Sequence, residues 1–276
     1  MIKLALCQMS VVNNKEENLN KAASMISKAA KEGAHIAVLP EMFNCPYDNS
    51  YFAAYAEEGE GQTYRHLSVL AQENDIMIIG GSIPEMDDGR IYNTSYVFNR
   101  SGACIGKYRK MHLFDIDVTD GVCFKESDSL TAGEDLLICD TEYGKIGIAI
   151  CYDIRFPELS RLMTLAGAQM IVLPGAFNMT TGPAHWSLSI RMRALDNQLY
   201  FIGVSPARDM EASYIAYGHS MIANPWGETV IEGDEREQIF YGEIDLEQNE
   251  AIRKQLPLLA HRRANIYKLI EENRLK

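Results

Sequence analysis

Hydrophobic positions along this chain switch between a short strand period and a helical one, and the switching predicts alternating strands and helices. The apolar run Ile2 to Met9 reads as a buried strand, and a helix follows from about Lys15 to Glu32 with Leu19, Ala22, Met25, Ile26 and Ala29 on one face. Gly33 ends it. His35 to Leu39 is a second buried strand, running into Pro40-Glu41-Met42-Phe43. A second helix, roughly Gln62 to Glu73, precedes a strand at Ile76 to Gly80. Asp87-Asp88-Gly89-Arg90 has hairpin-turn chemistry, so Tyr92 to Asn99 is the returning strand and Ser101-Gly102 turns the chain into Cys104 to Tyr108. Further on, Ile146 to Ile150 is too short for a free-standing helix and reads as a buried strand that stops at Cys151. Asp153 as a candidate N-cap, Pro157, and apolar Phe156, Leu159 and Leu162 place a helix shortly beyond that cysteine.

The plan occurs twice. Gly33-Ala34-His35-Ile36-Ala37-Val38-Leu39-Pro40-Glu41-Met42-Phe43 lines up with Gly167-Ala168-Gln169-Met170-Ile171-Val172-Leu173-Pro174-Gly175-Ala176-Phe177. Upstream, Lys3 to Cys7 mirrors Lys145 to Cys151. Downstream, Asp75 to Pro84 mirrors Gln198 to Pro206, and Tyr92 to Gly102 mirrors Tyr217 to Gly227. Such self-similarity predicts two related β-α-β-α-β-β units with their sheets face to face, an α/β fold in the form of a four-layer α-β-β-α sandwich built from two similar halves. The strand ends bearing Pro40-Glu41 and Pro174-Gly175 then correspond, as do those bearing Cys7 and Cys151. Glu41 and Cys151 fall on matching edges, where α/β proteins place their chemistry.

Composition narrows the reading. A chain of 276 residues, 47% of them hydrophobic, can bury a large core, and no Pro/Gly/Ser-rich linker divides it, so residues 1–276 are expected to form one domain. From about Asn249 a C-terminal segment, broken at Gln255-Leu256-Pro257-Leu258-Leu259, reads either as an arm on a second subunit or as a helix capping its own core. The net charge of -12 argues against nucleic acid or an anionic membrane as the main partner; a small anionic substrate fits where local cations hold it. The start of the chain lacks a signal-peptide pattern and no segment is long enough to span a bilayer. The six cysteines form no CxxC pair or Cys/His ligand spacing, which excludes the zinc-site reading and fits reduced thiols in the cytoplasm.

Cys151, at a strand-to-helix turn, meets backbone N–H groups that lower a thiol's pKa and bind an oxyanion, which suits a nucleophile. Taken alone, the stretch fits a small buried hydrophobe better. A nucleophilic thiol needs a base, and no histidine stands out: His35 falls in a strand, His66 and His261 on helices, and His112, His185 and His219 flank loops. Glu41, directly after a buried strand and a proline, is partly desolvated and suits proton transfer; the alternative is a solvated glutamate at a helix start. Lys110, in Gly106-Lys107-Tyr108-Arg109-Lys110-Met111-His112-Leu113-Phe114, is the candidate cation for the oxyanion, although basic runs are usually solvated.

Together these motifs change the picture. Glu41 after Leu39-Pro40, Lys110 in YRKMHLF and Cys151 in GIAICYDIRFPE resemble the carbon-nitrogen hydrolase, or nitrilase, superfamily over essentially the whole chain. The resemblance implies a Glu-Lys-Cys triad, the α-β-β-α fold, a thioester intermediate, no metal or organic cofactor, and a homodimer or larger homo-oligomer. It also implies that Glu126, in FKESDSLTAGE, is the second glutamate, positioning the lysine and the substrate. PGAFNMTTGPAHW, RALDNQLY, SPARD, YGHS and NPWGE are similar to the ω-amidase branch. That implies hydrolysis of the terminal amide of 2-oxoglutaramate and 2-oxosuccinamate, with Tyr47 and Phe177 lining the pocket and limiting substrate length. Arg155, four residues past Cys151, offers a bidentate fork for the far carboxylate of such a substrate, the alternative being a helix-surface arginine. The Tyr152 backbone N–H is expected to join Lys110 at the oxyanion. Rival readings are another amidase of the superfamily with a larger pocket, such as one acting on deaminated glutathione, a catalytically silent scaffold, and a nitrile hydrolase using the same triad.

Overall fold

In the computed structural model, which describes residues 1–119 and 123–271, the apolar runs of the N-terminal half become strands joined by amphipathic helices. β1 (Ile2–Gln8) leads through α1 (Lys15–Lys31) to β2 (Ile36–Val38). Asn14 caps α1 by accepting a bond from the Glu17 N–H. Then come α2 (Asn49–Tyr55), the short β3 (Glu57–Glu58), α3 (Gln62–Glu73) and β4 (Met77–Ile79). The hairpin of β5 (Ile83–Asp87) and β6 (Arg90–Phe98) turns at Asp88 and Gly89, with φ of 47° and 72°. Both are left-handed, as a tight primed turn requires. β7 (Cys104–Arg109) pairs back onto β6, and β8 (Asp115–Asp117) with β9 (Cys123–Lys125) forms a separate small ribbon.

The second half runs β10 (Leu137–Thr141), β11 (Gly144–Ile148), α4 (Pro157–Leu165), β12 (Met170–Pro174), α5 (Gly182–Asn197), β13 (Tyr200–Val204), β14 (Met221–Ala223) and β15 (Thr229–Glu232). β16 (Gln238–Ile244) returns to the first sheet antiparallel to β1, and α6 (Glu247–Gln255) follows. The main strand orders are β16-β1-β2-β4-β6-β5-β3 and β10-β11-β12-β13-β14-β15. In chain order β1, β2, β4, β6 and β7 answer to β11, β12, β13, β14 and β15, each run paired parallel, parallel, antiparallel, antiparallel, with β16 and β10 lying antiparallel at the corresponding outer edges. The repeat read from the sequence is therefore a repeat of topology.

Strand alternation sorts the side chains into layers. Leu4, Leu6, Ile36 and Val38 face the second sheet in one core with Ile146, Ile148, Met170 and Val172. Ala5, Cys7, Ala37 and Leu39 face α1 and α3 in another. On the far side α4 and α5 cover the second sheet, which gives α-β-β-α. Gly203 makes that last contact close: a Cβ there would lie 2.4 Å from Ile190 and 2.8 Å from Trp186, so only glycine lets the fully buried indole of Trp186 rest on β13.

Several expectations change. The strand before Cys151 ends at Ile148 rather than Ile150, because the Ile150 N–H is taken by the Asp153 carboxylate at 2.9 Å. Asp153 is thus not the N-cap of α4; Phe156 holds that position, followed by Pro157, with no side-chain cap. The equivalence of Cys7 with Cys151 is off by two places. Leu6 pairs with Val38 and Ile148 with Val172, so the counterpart of Cys151 is Met9. Cys7 lies within β1 facing the helices, and burial pushes its thiol up to about 12. His261 lies in a turn after α6 rather than on a helix. The C-terminal segment begins by docking on its own chain: Gln248 accepts from the Tyr200 hydroxyl and Asn249 donates to the Gln169 carbonyl, both at 2.7 Å. Beyond it, Ile266, Tyr267 and Ile270 are exposed, and 272–276 lie outside the described residues. Among the described residues no helix is long and apolar enough to cross a membrane.

Candidate active site

Past β2 the chain bends through Leu39 and Pro40, and Glu41 sits in an irregular turn, 1% exposed. No helix begins there, which removes the solvated helix-start alternative. The turn is held by Ser82, whose N–H donates to the Pro40 carbonyl at 3.2 Å and whose hydroxyl accepts from the Met42 N–H at 3.0 Å. Lys110, the residue after β7, is fully buried. Its backbone is fixed on both sides, donating to the Asn93 carbonyl and accepting from the Gly133 N–H, each at 2.8 Å. Its ammonium reaches Glu41 Oε1 at 2.9 Å and Glu126 Oε1 and Oε2 at 2.9 and 2.8 Å. Glu126, also fully buried, accepts from the Tyr47 hydroxyl at 2.9 Å and the Phe114 N–H at 2.7 Å.

Two carboxylates around one ammonium leave this buried cluster with a net negative formal charge. Desolvation raises the Glu41 pKa, the Glu126 charge adds to the rise, and Lys110 only partly offsets them. Burial works against the Lys110 charge, yet Glu126 and Glu41 outweigh it and hold the ammonium above the ordinary lysine range.

Cys151 occupies an elbow between β11 and a 3-10 turn over Cys151–Arg155. Its φ of 44° is uncommon for a residue with a side chain. The elbow is clamped by Asp153, 1% exposed, which accepts from the Ile150 N–H, from the Tyr108 hydroxyl at 2.7 Å and from the His112 N–H at 3.0 Å. One carboxylate thereby ties the cysteine's turn to the segment that carries Lys110. The Cys151 thiol lies close enough to the Glu41 carboxylate for each to act on the other's ionisation. Burial first, and the Glu41 charge second, push that thiol well above its usual range, so it rests protonated. Across the repeat, Glu41 corresponds to Gly175, where a Cβ would stand 3.2 Å from Cys151 Cα. The next residue, Ala176, donates its N–H to Glu41 Oε2 at 2.8 Å. Each half thus contributes to holding the same acid.

The structure brings Glu41, Lys110, Glu126 and Tyr47 into one bonded cluster with Cys151 beside it. Arg155, Tyr152 and Phe177 form a neighbouring group. The Arg155 guanidinium lies 4.9 Å from the Phe177 ring centre and 5.7 Å from that of Tyr152, and 3.2 Å from His185 Nδ1. Sequence reasoning missed Asn93, buried on β6, whose amide donates to Glu41 at 2.9 Å and Glu126 at 3.3 Å. It also missed the role of Asp153. A signal for Asn93 existed: Asn93-Thr94-Ser95 is a polar triplet inside an apolar strand, and buried polar groups imply partners. A thiol with an adjacent carboxylate base and a fixed ammonium suits acyl transfer through a covalent intermediate. Among the described residues no group of His, Cys, Asp and Glu is arranged to hold a metal ion.

Comparisons with known proteins give the family. The family model described as carbon-nitrogen hydrolase matches residues 3–254. The omega-amidase NIT2 of Mus musculus is 49% identical over 265 residues, covering 96% of each chain. NIT2-A of Xenopus laevis, also named omega-amidase, is 50% identical over 272 residues, 99% of this chain and 98% of that one. The crystal structure of Saccharomyces cerevisiae Nit3, described as a member of branch 10 of the nitrilase superfamily, superposes with a TM-score of 0.88 at 44% identity, covering 95% of this chain and 96% of that chain.

Proposed function

We propose, from the premise that this chain belongs to the carbon-nitrogen hydrolase family and is a hydrolase acting on amides, that it removes the terminal amide of short 2-oxo dicarboxylic acid monoamides. Its substrates in this reading are 2-oxoglutaramate and 2-oxosuccinamate, hydrolysed to the dicarboxylic acid and ammonia. The observation that carries the chemistry is the buried ammonium of Lys110 between Glu41 and Glu126, next to the thiol of Cys151. The substrate class is supported by relatives about 49% identical that are named omega-amidases, and by Arg155, a cation near the nucleophile able to hold a distal carboxylate through two parallel bonds.

In this mechanism Glu41 takes the proton of Cys151 as the sulfur attacks the amide carbon, since the thiol does not ionise by itself. Lys110 and the Tyr152 N–H stabilise the oxyanion. The C–N bond breaks as Glu41 returns the proton to the leaving nitrogen, giving ammonia and a thioester. Glu41 then takes a proton from water, whose oxygen attacks the thioester carbon. The C–S bond breaks, the proton goes back to sulfur, and the acid leaves. Glu126 and Asn93 hold Lys110 and Glu41 in register, and Tyr47 and Phe177 bound the pocket.

Two measurements test this. Steady-state rates on 2-oxosuccinamate and on a bulkier peptide-like amide should favour the small substrate; a preference for the peptide-like amide would reject the ω-amide reading. Arg155→Lys should raise KM for 2-oxo acid amides by about 10-fold or more, since a charge-assisted bidentate pair contributes roughly 1.5–3 kcal/mol. An unchanged kcat/KM would assign the carboxylate to another residue.

The acid limb of the pH profile follows from Glu41. It accepts a proton only when ionised, and its pKa is raised by burial. The kcat/KM for hydrolysis should therefore fall with decreasing pH at a midpoint above the ordinary glutamate value of about 4.3. A limb at or below that value would remove Glu41 as the base.

A further inference from the structure

The stretch between β13 and β14, residues 205–220, is a long connection without regular structure, a length at which loops are commonly functional. It is anchored at both ends. Ala207 donates to the Met9 carbonyl at 2.9 Å and Arg208 to the Glu235 carbonyl at 2.8 Å; on the return, Ala216 bridges to Asn178 and Tyr217 donates to the Phe177 carbonyl at 2.7 Å. Between these anchors Met210, Glu211 and Ser213 face solvent. Tyr214 turns the other way.

Its hydroxyl donates to the Ala176 carbonyl at 2.5 Å. This is the residue whose own N–H holds Glu41. Its ring packs on Tyr47 with centroids 4.6 Å apart and on Phe124 at 6.0 Å, and its phenol lies near Cys151 and close enough to Glu41 and Glu126 for their charges to act on it. Two cavities meet at this side chain. One, of about 460 Å³, reaches Glu41, Met42 and Ala176; the other, of about 270 Å³, is bounded by Phe124, Asn178 and Thr180. Tyr47, Ser213 and Tyr214 line both, while Cys151 lines neither. Tyr214 is thus a wall between two spaces, beside the nucleophile, and with Tyr47 it forms a pair of rings.

We propose that Tyr214 is a specificity-determining residue, whose ring limits the length and branching of the acyl group that can reach Cys151. The chemistry fits the place. An aromatic ring excludes a longer or branched acyl chain by volume, and the bond from its hydroxyl to a backbone carbonyl fixes the ring. The tyrosine comes from a loop rather than a core strand, and none of the hydrogen bonds to the Lys110 ammonium comes from it. The inference rests on the ω-amide reading only for the choice of short substrate.

The test compares wild type, Tyr214→Phe and Tyr214→Ala, each checked for unchanged melting temperature. The first readout is the ratio of kcat/KM for a six- or seven-carbon ω-amide to that for 2-oxosuccinamate. The second is the ratio of Cys151 alkylation rates by N-benzyl-iodoacetamide and iodoacetamide, with adducts located by peptide mass so that the exposed Cys123 is counted apart. Tyr214→Ala should raise both ratios about 10-fold or more, and Tyr214→Phe, which keeps the ring, should leave them near wild type. A kcat/KM ratio unmoved in folded Tyr214→Ala, or moved equally by Tyr214→Phe, would overturn the proposal. A shifted substrate ratio with no Cys151 adduct in any variant would instead reject the thioester assignment and leave the role of Tyr214 standing. Poor turnover of every ω-amide together with a shifted alkylation ratio would reject the substrate class alone.

Discussion

Cys151→Ala is expected to abolish amide hydrolysis, by roughly 10⁵-fold or more, while the melting temperature stays within a few degrees of wild type. The loss is large because in the proposed mechanism the sulfur forms the covalent bond on which both halves of the reaction depend, and removing a nucleophile from such a unit costs about as much as removing the whole unit. The fold survives for a local reason. The elbow's φ of 44° is as accessible to alanine as to cysteine, and the clamp on it comes from Asp153 through the Ile150 N–H rather than from the thiol. Replacing the buried thiol with a methyl group opens only a small void. Kinetics with circular dichroism on the same preparation check the prediction, and amidase activity within 100-fold of wild type would remove Cys151 from the mechanism.

Lys110→Met is expected to lose both activity and stability. Methionine fills much of the volume but leaves Glu41 and Glu126, both buried, without their shared cation. Breaking a buried ion pair on one side typically costs about 3–5 kcal/mol. Loss of oxyanion stabilisation alone lowers kcat by roughly 10²–10³, and the orphaned carboxylates will take up a proton, which disables Glu41 as a base. The sign of the pH effect follows: a carboxyl pKa raised in the folded variant makes its instability grow as pH rises above the unfolded carboxyl value and shrink on acidification. Lys110→Met/Glu126→Gln, with one buried carboxylate neutralised, should recover much of the lost melting temperature and none of the rate. Recovered activity in the double variant would make Lys110 a structural counter-ion only.

Much of this architecture could be read along the chain. Helix α3 was legible, read roughly over Gln62 to Glu73 and found over the same span, because its apolar positions recur at helical spacing. The hairpin at Asp88-Gly89 was legible because few residue pairs adopt its two left-handed angles. Helix α2 was not read, since its buried side is essentially Phe52 alone, too little to establish a period. β16 escaped for another reason: it completes the first sheet beside β1 from the opposite end of the chain, and a pairing across more than two hundred residues leaves no local trace.

By itself the amino-acid order determined the alternation of strands and helices, the duplication of the plan, and the three separate segments that end in a carboxylate, an ammonium and a thiol. These are short-range properties, set by periodicity and turn chemistry. Only the tertiary structure decided that Met9 rather than Cys7 answers to Cys151, that Asn93 and Asp153 hold the centre, and that Tyr214 closes it. Register, burial and the meeting of distant side chains arise from packing two sheets together, and Glu41 could have been a solvated or a buried acid until that packing took the water away.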